Sequence, residues 1–130
     1  AAILLSHGHQ DHWGLIDQVH RSIPVYIGKR AADVLRAADF WGAGIDLRER
    51  GHFDDRVPMS IGEFTVTPYL VDHSGFDAYA FVIEAAGQRL MYSGDFRGHG
   101  RKSSVFERLI ADPPGDIDAL LLEGNHVGKA

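Results

Sequence analysis

The sequence predicts an α/β fold with a mixed β-sheet and flanking helices. Short apolar segments typical of strands alternate with helical segments early in the chain. Further along, two strand-like segments are separated only by Ala86-Gly87-Gln88, which predicts a β-hairpin. Alternating strands and helices predict parallel pairing, and a hairpin predicts antiparallel pairing, so both are expected in this protein.

Six segments have the composition of strands. Continuous apolar runs predict buried strands at 2–5 and 118–123. Pro68 lies inside another predicted strand and indicates an edge position or a bend there, because proline cannot donate to a ladder. The remaining strands are predicted at 24–27, 63–71, 78–85 and 89–92.

Helices are predicted between these strands. A short helix is expected from Gly14 onward, with Leu15, Ile16 and Val19 on one face. The clearest helical pattern covers 29–41 and ends at Gly42, and a further helix is expected at 103–111. The charged and glycine-rich segment 42–55 is predicted to be a loop.

Composition excludes several classes of protein. The chain is 45% hydrophobic and 24% charged, as expected of a globular domain. It has no apolar run long enough to span a bilayer and no basic segment at its start, so we expect a cytoplasmic protein without membrane contact. The absence of cysteine excludes disulfides and thiolate metal sites. A net charge of −5 argues against a generally basic nucleic-acid-binding surface.

The strongest chemical signal follows the first predicted strand. His7, His9, Asp11 and His12 place three imidazoles and one carboxylate within six positions. Imidazoles suit zinc, iron, copper or nickel, and carboxylates are harder ligands. Alternate residues of an extended turn point the same way, whereas Asp11 and His12 lie where a helix begins. The spacing therefore favours two metal ions rather than one.

Two later residues complete this pattern. His73 follows the strand predicted at 63–71, and Asp95 follows the strand predicted at 89–92. Gly94 precedes Asp95 and would allow a close approach of the backbone. Since side chains at strand ends converge on a shared crevice, His73 could supply a third imidazole and Asp95 a bridging carboxylate.

Together these residues resemble the metallo-β-lactamase superfamily over nearly the whole chain. The pattern is His7-x-His9-x-Asp11-His12, then His73, then Asp95. The resemblance implies an αββα sandwich, present here in part. Residues 1–130 are expected to form the central part of one such domain, truncated at both ends, because the chain opens inside a predicted strand.

The resemblance also implies how the ligands are shared. One cation would be bound by the first two histidines of the motif and His73, the other by Asp11 and His12, and Asp95 would bridge them. A further histidine ligand lies downstream in the family. No residue here matches it by order, and His126 is more readily explained as an exposed histidine than as its substitute.

Within the superfamily, the chain resembles the RNase J-like branch, many members of which carry a β-CASP domain. Val71-Asp72-His73-Ser74, Tyr92-Ser93-Gly94-Asp95-Phe96-Arg97 and Leu120-Leu121-Leu122-Glu123-Gly124 are the segments that carry this resemblance. The branch more usually continues with threonines, where this chain has Asn125-His126. The resemblance implies a ribonuclease or another phosphodiesterase, with RNA or another phosphodiester as the substrate.

The implied chemistry uses two divalent cations. Zn²⁺ is the expected metal, and Mn²⁺ or Fe are the alternatives. Two cations about 3.5–4 Å apart lower the pKa of a shared water toward about 7 and so generate a hydroxide nucleophile. Asp11 is the expected catalytic residue, since it could orient that hydroxide. Asp72 is either an acceptor for an imidazole N–H or a solvated carboxylate at a strand end.

Several alternatives stay open at this stage. The basic run Arg97, His99, Arg101 and Lys102 is either a phosphate-binding rim or a solvated loop. The substrate could instead be a small ester, thioester or lactone. A diiron redox protein and a non-catalytic scaffold are the remaining hypotheses; His9 argues against the first and the intact ligand set against the second.

Overall fold

A computed structural model describes residues 1–38 and 45–124. The strands of this part of the chain are Ile3–Leu5 (β1), Val25–Gly28 (β2), Glu49–Phe53 (β3), Met59–Ile61 (β4), Phe64–Val71 (β5), Ala78–Ala85 (β6), Gln88–Tyr92 (β7) and Ala119–Leu121 (β8). Its helices are Gln10–Trp13 (α1), Lys29–Ala38 (α2) and Ser103–Ala111 (α3), with a 3-10 turn at Ile16–Gln18. None of the helices in these two ranges has the length and apolar character needed to cross a membrane.

The strands form two sheets. The first sheet has the order β1-β2-β3 and is parallel throughout. The second sheet has the order β4-β5-β6-β7-β8, in which the β7–β8 pair is parallel and the other pairs are antiparallel. The predicted α/β class with a mixed sheet and a β-hairpin is therefore confirmed.

Apolar side chains hold four layers together. Leu5, Val25 and Ile27 of the first sheet pack with Ala32 and Leu35 of α2. The two sheets pack through an aromatic cluster, and α3 covers the other face of the second sheet. The aromatic cluster contains Phe53, Tyr79 and Phe81. A second cluster, between the second sheet and α3, includes Val71, Ala78, Ala80 and Leu109. The order α2, first sheet, second sheet, α3 is the αββα sandwich that the resemblance implied.

Alternation along β6 explains how one strand serves both layers. Tyr79 and Phe81 face the first sheet, whereas Ala78 and Ala80 face α3. Successive side chains of a strand point to opposite faces, so large residues fill the space between the sheets and small ones admit the helix.

Some predicted elements differ from the structure. Segment 49–53, expected to be loop, is strand β3 of the first sheet; Phe53 is its buried side chain, Arg50 is exposed, and Glu49 forms an ion pair with Arg36 of α2. The three-residue strand β4 was not predicted. The helix expected from Gly14 onward is replaced by α1, which ends at Trp13, and by the 3-10 turn. Of the helix predicted at 29–41, the structure describes residues up to Ala38.

The last strand was correctly located but wrongly expected to be buried. β8 lies at the edge of the second sheet, and Leu120 and Leu121 are 55% and 54% exposed. The side chains of β8 are therefore apolar but not buried by the residues that the structure describes. The strand that contains Pro68 is not an edge strand, because β5 lies between β4 and β6. Pro68 lies beyond the β4 ladder, which ends at Val66, and its carbonyl accepts a hydrogen bond from the Arg56 N–H.

Candidate metal centre

Five predicted ligands lie together at the ends of strands. His7 and His9 follow β1, His12 lies in α1, His73 follows β5, and Asp95 follows β7. The two sheets contribute to one cluster, because β1 belongs to the first sheet and β5 and β7 to the second. The convergence expected from strand ends is thus found.

Three imidazole nitrogens face one another in this cluster. The Nδ1 atom of His9 lies 3.1 Å from Nε2 of His7 and 3.1 Å from Nε2 of His73. A tetrahedral zinc with Zn–N bonds of about 2.0–2.1 Å separates its nitrogen ligands by about 3.3–3.4 Å. Three neutral nitrogens at such distances repel one another unless a proton or a cation lies between their lone pairs. The donor set therefore fits a divalent cation.

The carboxylate of Asp95 is shared between two groups of donors. Its Oδ2 atom lies 4.0 Å from Nε2 of both His7 and His73, and 3.5 Å from Nε2 of His12. His7, His9 and His73 form one group of possible ligands, and His7, His12 and Asp95 form another. This arrangement is compatible with two ions and with Asp95 between them.

Asp11 is placed differently from the other predicted ligands. Its Oδ2 atom lies 3.6 Å from Nε2 of His12, but its side chain is 77% exposed. Among the described residues, neither group of three possible ligands includes Asp11. Its position, in the first turn of α1, leaves the carboxylate free to contact solvent or a ligand at the edge of the cluster.

Burial keeps two of the imidazoles uncharged. The pKa of His7 is lowered from 6.5 to about 4, chiefly by burial and then by the neighbouring imidazoles. The pKa of His73 is also lowered, by burial first and by His9 second. Metal binding requires deprotonated ring nitrogens, so both histidines are in the ligand-competent form at neutral pH.

Three supporting residues were not predicted from the sequence. The Oγ atom of Ser6, a buried residue, lies 3.1 Å from Nδ1 of His7 and 3.3 Å from Nδ1 of His12. Gly75 packs directly under the imidazoles, and Glu123 accepts a hydrogen bond from the Phe96 N–H and lines the cavities beside Asp95. The signal in the sequence was indirect: Ser6 and Gly75 lie within two residues of predicted ligands, and Glu123 lies in a segment that carries the resemblance.

Gly94 fulfils its expected role. Its φ of +55° lies in the left-handed region, and a Cβ atom there would lie 2.8 Å from the carbonyl oxygen of Tyr79. The backbone approach that glycine permits brings the segment carrying Asp95 against β6. The motif glycine is thus needed for both conformation and space.

Neither expectation for Asp72 matches the structure. The residue is fully buried, so it is not a solvated carboxylate. Its Oδ2 accepts a hydrogen bond from the Gly100 N–H at 2.7 Å, and its Oδ1 lies 3.6 Å from Nε of Arg97. In the described part of the chain no imidazole hydrogen-bonds to it. Asp72 instead fixes the loop that begins at Arg97.

The basic run divides into two parts. Arg97 and His99 line a cavity of about 370 Å³ that also contains His73, Asp95 and Glu123. Lys102 instead donates to the carbonyl of Gly75 and lies over the ring of Phe76, and Arg101 does not line this cavity. A second cavity of about 320 Å³ on the other side of Asp95 is lined by Asp11 and His12. His126 lies outside the described residues.

Comparison with known proteins agrees with this fold. The family model of the beta-lactamase superfamily domain matches residues 1–130. The chain therefore belongs to this family of metallo-β-lactamase-fold domains, and the histidine cluster fits the divalent metal binding that the fold implies.

The chain is similar to one curated relative and to two solved structures, among others. Ribonuclease J of Helicobacter pylori (strain ATCC 700392 / 26695) is 28% identical over 102 residues, covering 75% of this chain. The chain spans 14% of the length of that relative. A protein of unknown function from Enterococcus faecalis V583 has a TM-score of 0.85 and 24% identity over 97% of this chain and 32% of its own. Zn²⁺-bound PqqB from Methylobacterium extorquens has a TM-score of 0.58 and 23% identity, covering 95% of this chain and 41% of its own. The two solved structures show the shared fold.

Proposed function

We propose that this chain carries the metal centre of a hydrolase that cleaves phosphodiester bonds in RNA, with two divalent cations, Zn²⁺ in the first place. The observation that supports it most is the pair of donor groups that meet at Asp95, three imidazole nitrogens on one side and His12 on the other. The similarity to ribonuclease J over part of the chain supports the choice of substrate. A cytoplasmic location belongs to the same proposal.

Each predicted ligand has a part in this proposal. His7, His9 and His73 would hold one cation, His12 and Asp11 would hold the other, and Asp95 lies between the two groups of donors. When bound, the cations supply a water of lowered pKa and stabilise the negative charge that develops on the substrate. The neutral state of His7 and His73 leaves their ring nitrogens free to bind at neutral pH.

Asp11 is the proposed proton acceptor. Its carboxylate is exposed and lines the cavity that also contains His12 and Asp95, so it can accept a hydrogen bond from an attacking water there. A carboxylate in this position orients the water and receives its proton. Because the attacking group is a water, the proposed hydrolysis needs no serine or cysteine nucleophile.

Arg97 and His99 favour an anionic substrate. Both line the cavity next to His73 and Asp95, although the chain as a whole has a net charge of −5. A guanidinium donates two parallel hydrogen bonds to phosphate oxygens, which gives both affinity and orientation. Two divalent cations bring the formal charge to about −1, so a polyanionic substrate is repelled less.

Elemental analysis of purified protein tests the metal centre. About two cations per chain are expected in the unmodified protein, with loss of metal in His9→Ala. His20→Ala is the matched control, because His20 is a histidine whose ring bonds to Ser22 rather than to the cluster. Retention of the full metal content by His9→Ala would contradict the proposed ligand set.

Substrate comparison tests the phosphodiesterase. We expect the metal-loaded protein to hydrolyse RNA and bis(p-nitrophenyl) phosphate, and Arg97→Gln to raise KM for RNA about tenfold while Arg101→Gln leaves it unchanged. Turnover of small neutral esters or lactones without turnover of either phosphodiester would overturn this substrate assignment in favour of the ester class.

A further inference from the structure

Ser6 occupies a central position beneath the candidate metal centre. It is 3% exposed and directly follows β1. Its carbonyl oxygen accepts a hydrogen bond of 2.9 Å from the Tyr79 N–H, which ties the end of the first sheet to β6 of the second. The backbone of Ser6 is therefore held by both sheets.

The hydroxyl meets two imidazoles on the same edge. Its Oγ atom lies 3.1 Å from Nδ1 of His7 and 3.3 Å from Nδ1 of His12. The rings of His7 and His12 are 4.0 Å apart between centroids. Their other nitrogens, the Nε2 atoms, lie 4.0 and 3.5 Å from Oδ2 of Asp95. In each ring one nitrogen thus faces Ser6 and the other faces the donor cluster.

The proton count decides what this contact does. A neutral imidazole has one N–H and one lone pair, and a serine oxygen has one proton and two lone pairs. If the Oγ atom accepts from both Nδ1–H groups, both Nε2 lone pairs face the cluster. Both Nδ1–H groups and both lone pairs of the Oγ atom are then satisfied.

We propose that Ser6 is the positioning residue that selects the Nδ1–H form of both His7 and His12, so that one hydroxyl prepares a ligand for each of the two donor groups. This inference rests on the proposed metal centre and deepens it. A ring whose Nδ1 lacked this acceptor would also populate the Nε2–H form, which cannot bind a metal through Nε2. Residues that hydrogen-bond to a metal ligand typically contribute about 10–100-fold to metal affinity.

The protonated nitrogens can be read directly in the metal-free protein. Two-bond ¹H–¹⁵N correlation spectra at pH 7.5 distinguish the Nδ1–H from the Nε2–H form of each histidine. We expect the Nδ1–H form for His7 and His12 in the unmodified protein and a mixture of forms in Ser6→Ala. A predominant Nε2–H form of either histidine in the unmodified protein would overturn the proposal.

Metal affinity provides the second readout, with Zn²⁺ as the probe in a competition titration. Ser6→Ala is expected to weaken binding about 10–100-fold, whereas Ser6→Thr keeps the hydroxyl and stays close to the unmodified protein. Ser22→Ala is the matched control, because Ser22 also bonds a histidine Nδ1, that of His20, at 2.8 Å but outside the site. Equal affinity of Ser6→Ala and the unmodified protein would contradict the proposed role.

The two measurements separate this proposal from the proposed function. If the unmodified protein binds no Zn²⁺, the metal centre is wrong, and the spectra still show whether Ser6 selects the two ring forms. If it binds Zn²⁺ but the ring forms do not depend on Ser6, the metal centre stands and the role of Ser6 is refuted. Should Ser6→Ala fail to fold, the spectra of the unmodified protein decide alone.

Discussion

At the residue scale, the smallest side chain in the site controls how closely the imidazoles pack. A Cβ atom at Gly75 would lie 2.9 Å from Cδ2 of His7, 3.2 Å from Cδ2 of His73 and 3.4 Å from Nε2 of His9. The first two distances are shorter than ordinary van der Waals contacts, so a methyl group there displaces the rings that form the nitrogen cluster. Gly75 is therefore required by space.

Gly75→Ala is expected to weaken Zn²⁺ binding at least about tenfold, because displaced rings no longer share one coordination point. A competition titration measures the change. Gly115→Ala is the matched control, since a Cβ there has no atom within 4 Å. Equal affinity in the two variants would show that the rings adapt to the methyl group.

The pKa of His7 predicts a pH dependence of the metal-free protein. Its folded value of about 4 lies below the ordinary 6.5, so the unfolded chain binds more protons between these values. Stability is therefore full above about pH 6.5 and is lost as the pH falls toward 4, by up to about 3 kcal/mol. Urea unfolding between pH 7 and 4.5 should show a shallower loss for His7→Gln than for the unmodified protein or His20→Gln. Equal slopes in all three would contradict this assignment.

At the element scale, the loop between β5 and β6 caps the N-terminus of α2. The Oδ2 atom of Asp77 accepts hydrogen bonds from the N–H groups of Arg30, at 2.8 Å, and Ala31, at 3.3 Å. The first N–H groups of a helix have no partner within the helix, and Asp77 supplies one from a distant part of the sequence. The same short loop contains His73 and Gly75, so the cap also anchors the segment that carries a predicted ligand.

Asp77→Ala is expected to lower the free energy of unfolding by about 1–2 kcal/mol, because two helix N–H groups lose their acceptor. Asp77→Asn should lose less, since its amide oxygen still accepts and asparagine tolerates the positive φ of 60° at this position. Urea unfolding of the three proteins at pH 7.5 measures this. Equal losses in the two variants would assign the effect to charge rather than to the cap.

At the scale of the whole molecule, the candidate metal centre joins the two sheets. His9 follows β1 of the first sheet, whereas His73 and Asp95 follow strands of the second. Unfolding separates these groups, so a cation that binds them together binds the folded state in preference to the unfolded chain. Metal binding and the stability of the sandwich are therefore coupled.

Removal of metal is expected to lower the melting temperature by several degrees. A ligand at 100 times its dissociation constant stabilises the folded state by about 2.7 kcal/mol. Thermal unfolding with Zn²⁺ and with a chelator measures the difference, which should vanish in His9→Ala and persist in His20→Ala. If Zn²⁺ raised the melting temperature of His9→Ala by the same amount, the stabilising ion would bind at another place.

The sequence located most elements but misjudged those at the sheet edges. β3 has the polar composition of a loop and is a strand because its backbone pairs with β2, with Phe53 as its buried anchor. β8 has the composition of a buried strand and lies exposed at an edge. For β3, pairing with a neighbouring strand outweighs local composition, because every non-proline residue offers the backbone groups that a ladder needs. For β8, composition predicts the strand but not its place at the edge of the sheet, which depends on which strands pair.

The sequence by itself determined the α/β class, the order of most strands and the residue types able to bind metal, since periodicity and the spacing of His7 to His12 are local properties. Tertiary structure decided the rest. It brought His73 and Asp95 to the motif, buried Asp72 against the loop of Arg97, and left Asp11 exposed. It also placed Ser6 and Gly75 beneath the imidazoles. These relations depend on how the two sheets pack, and distances between residues far apart in the chain follow from that packing rather than from local pattern.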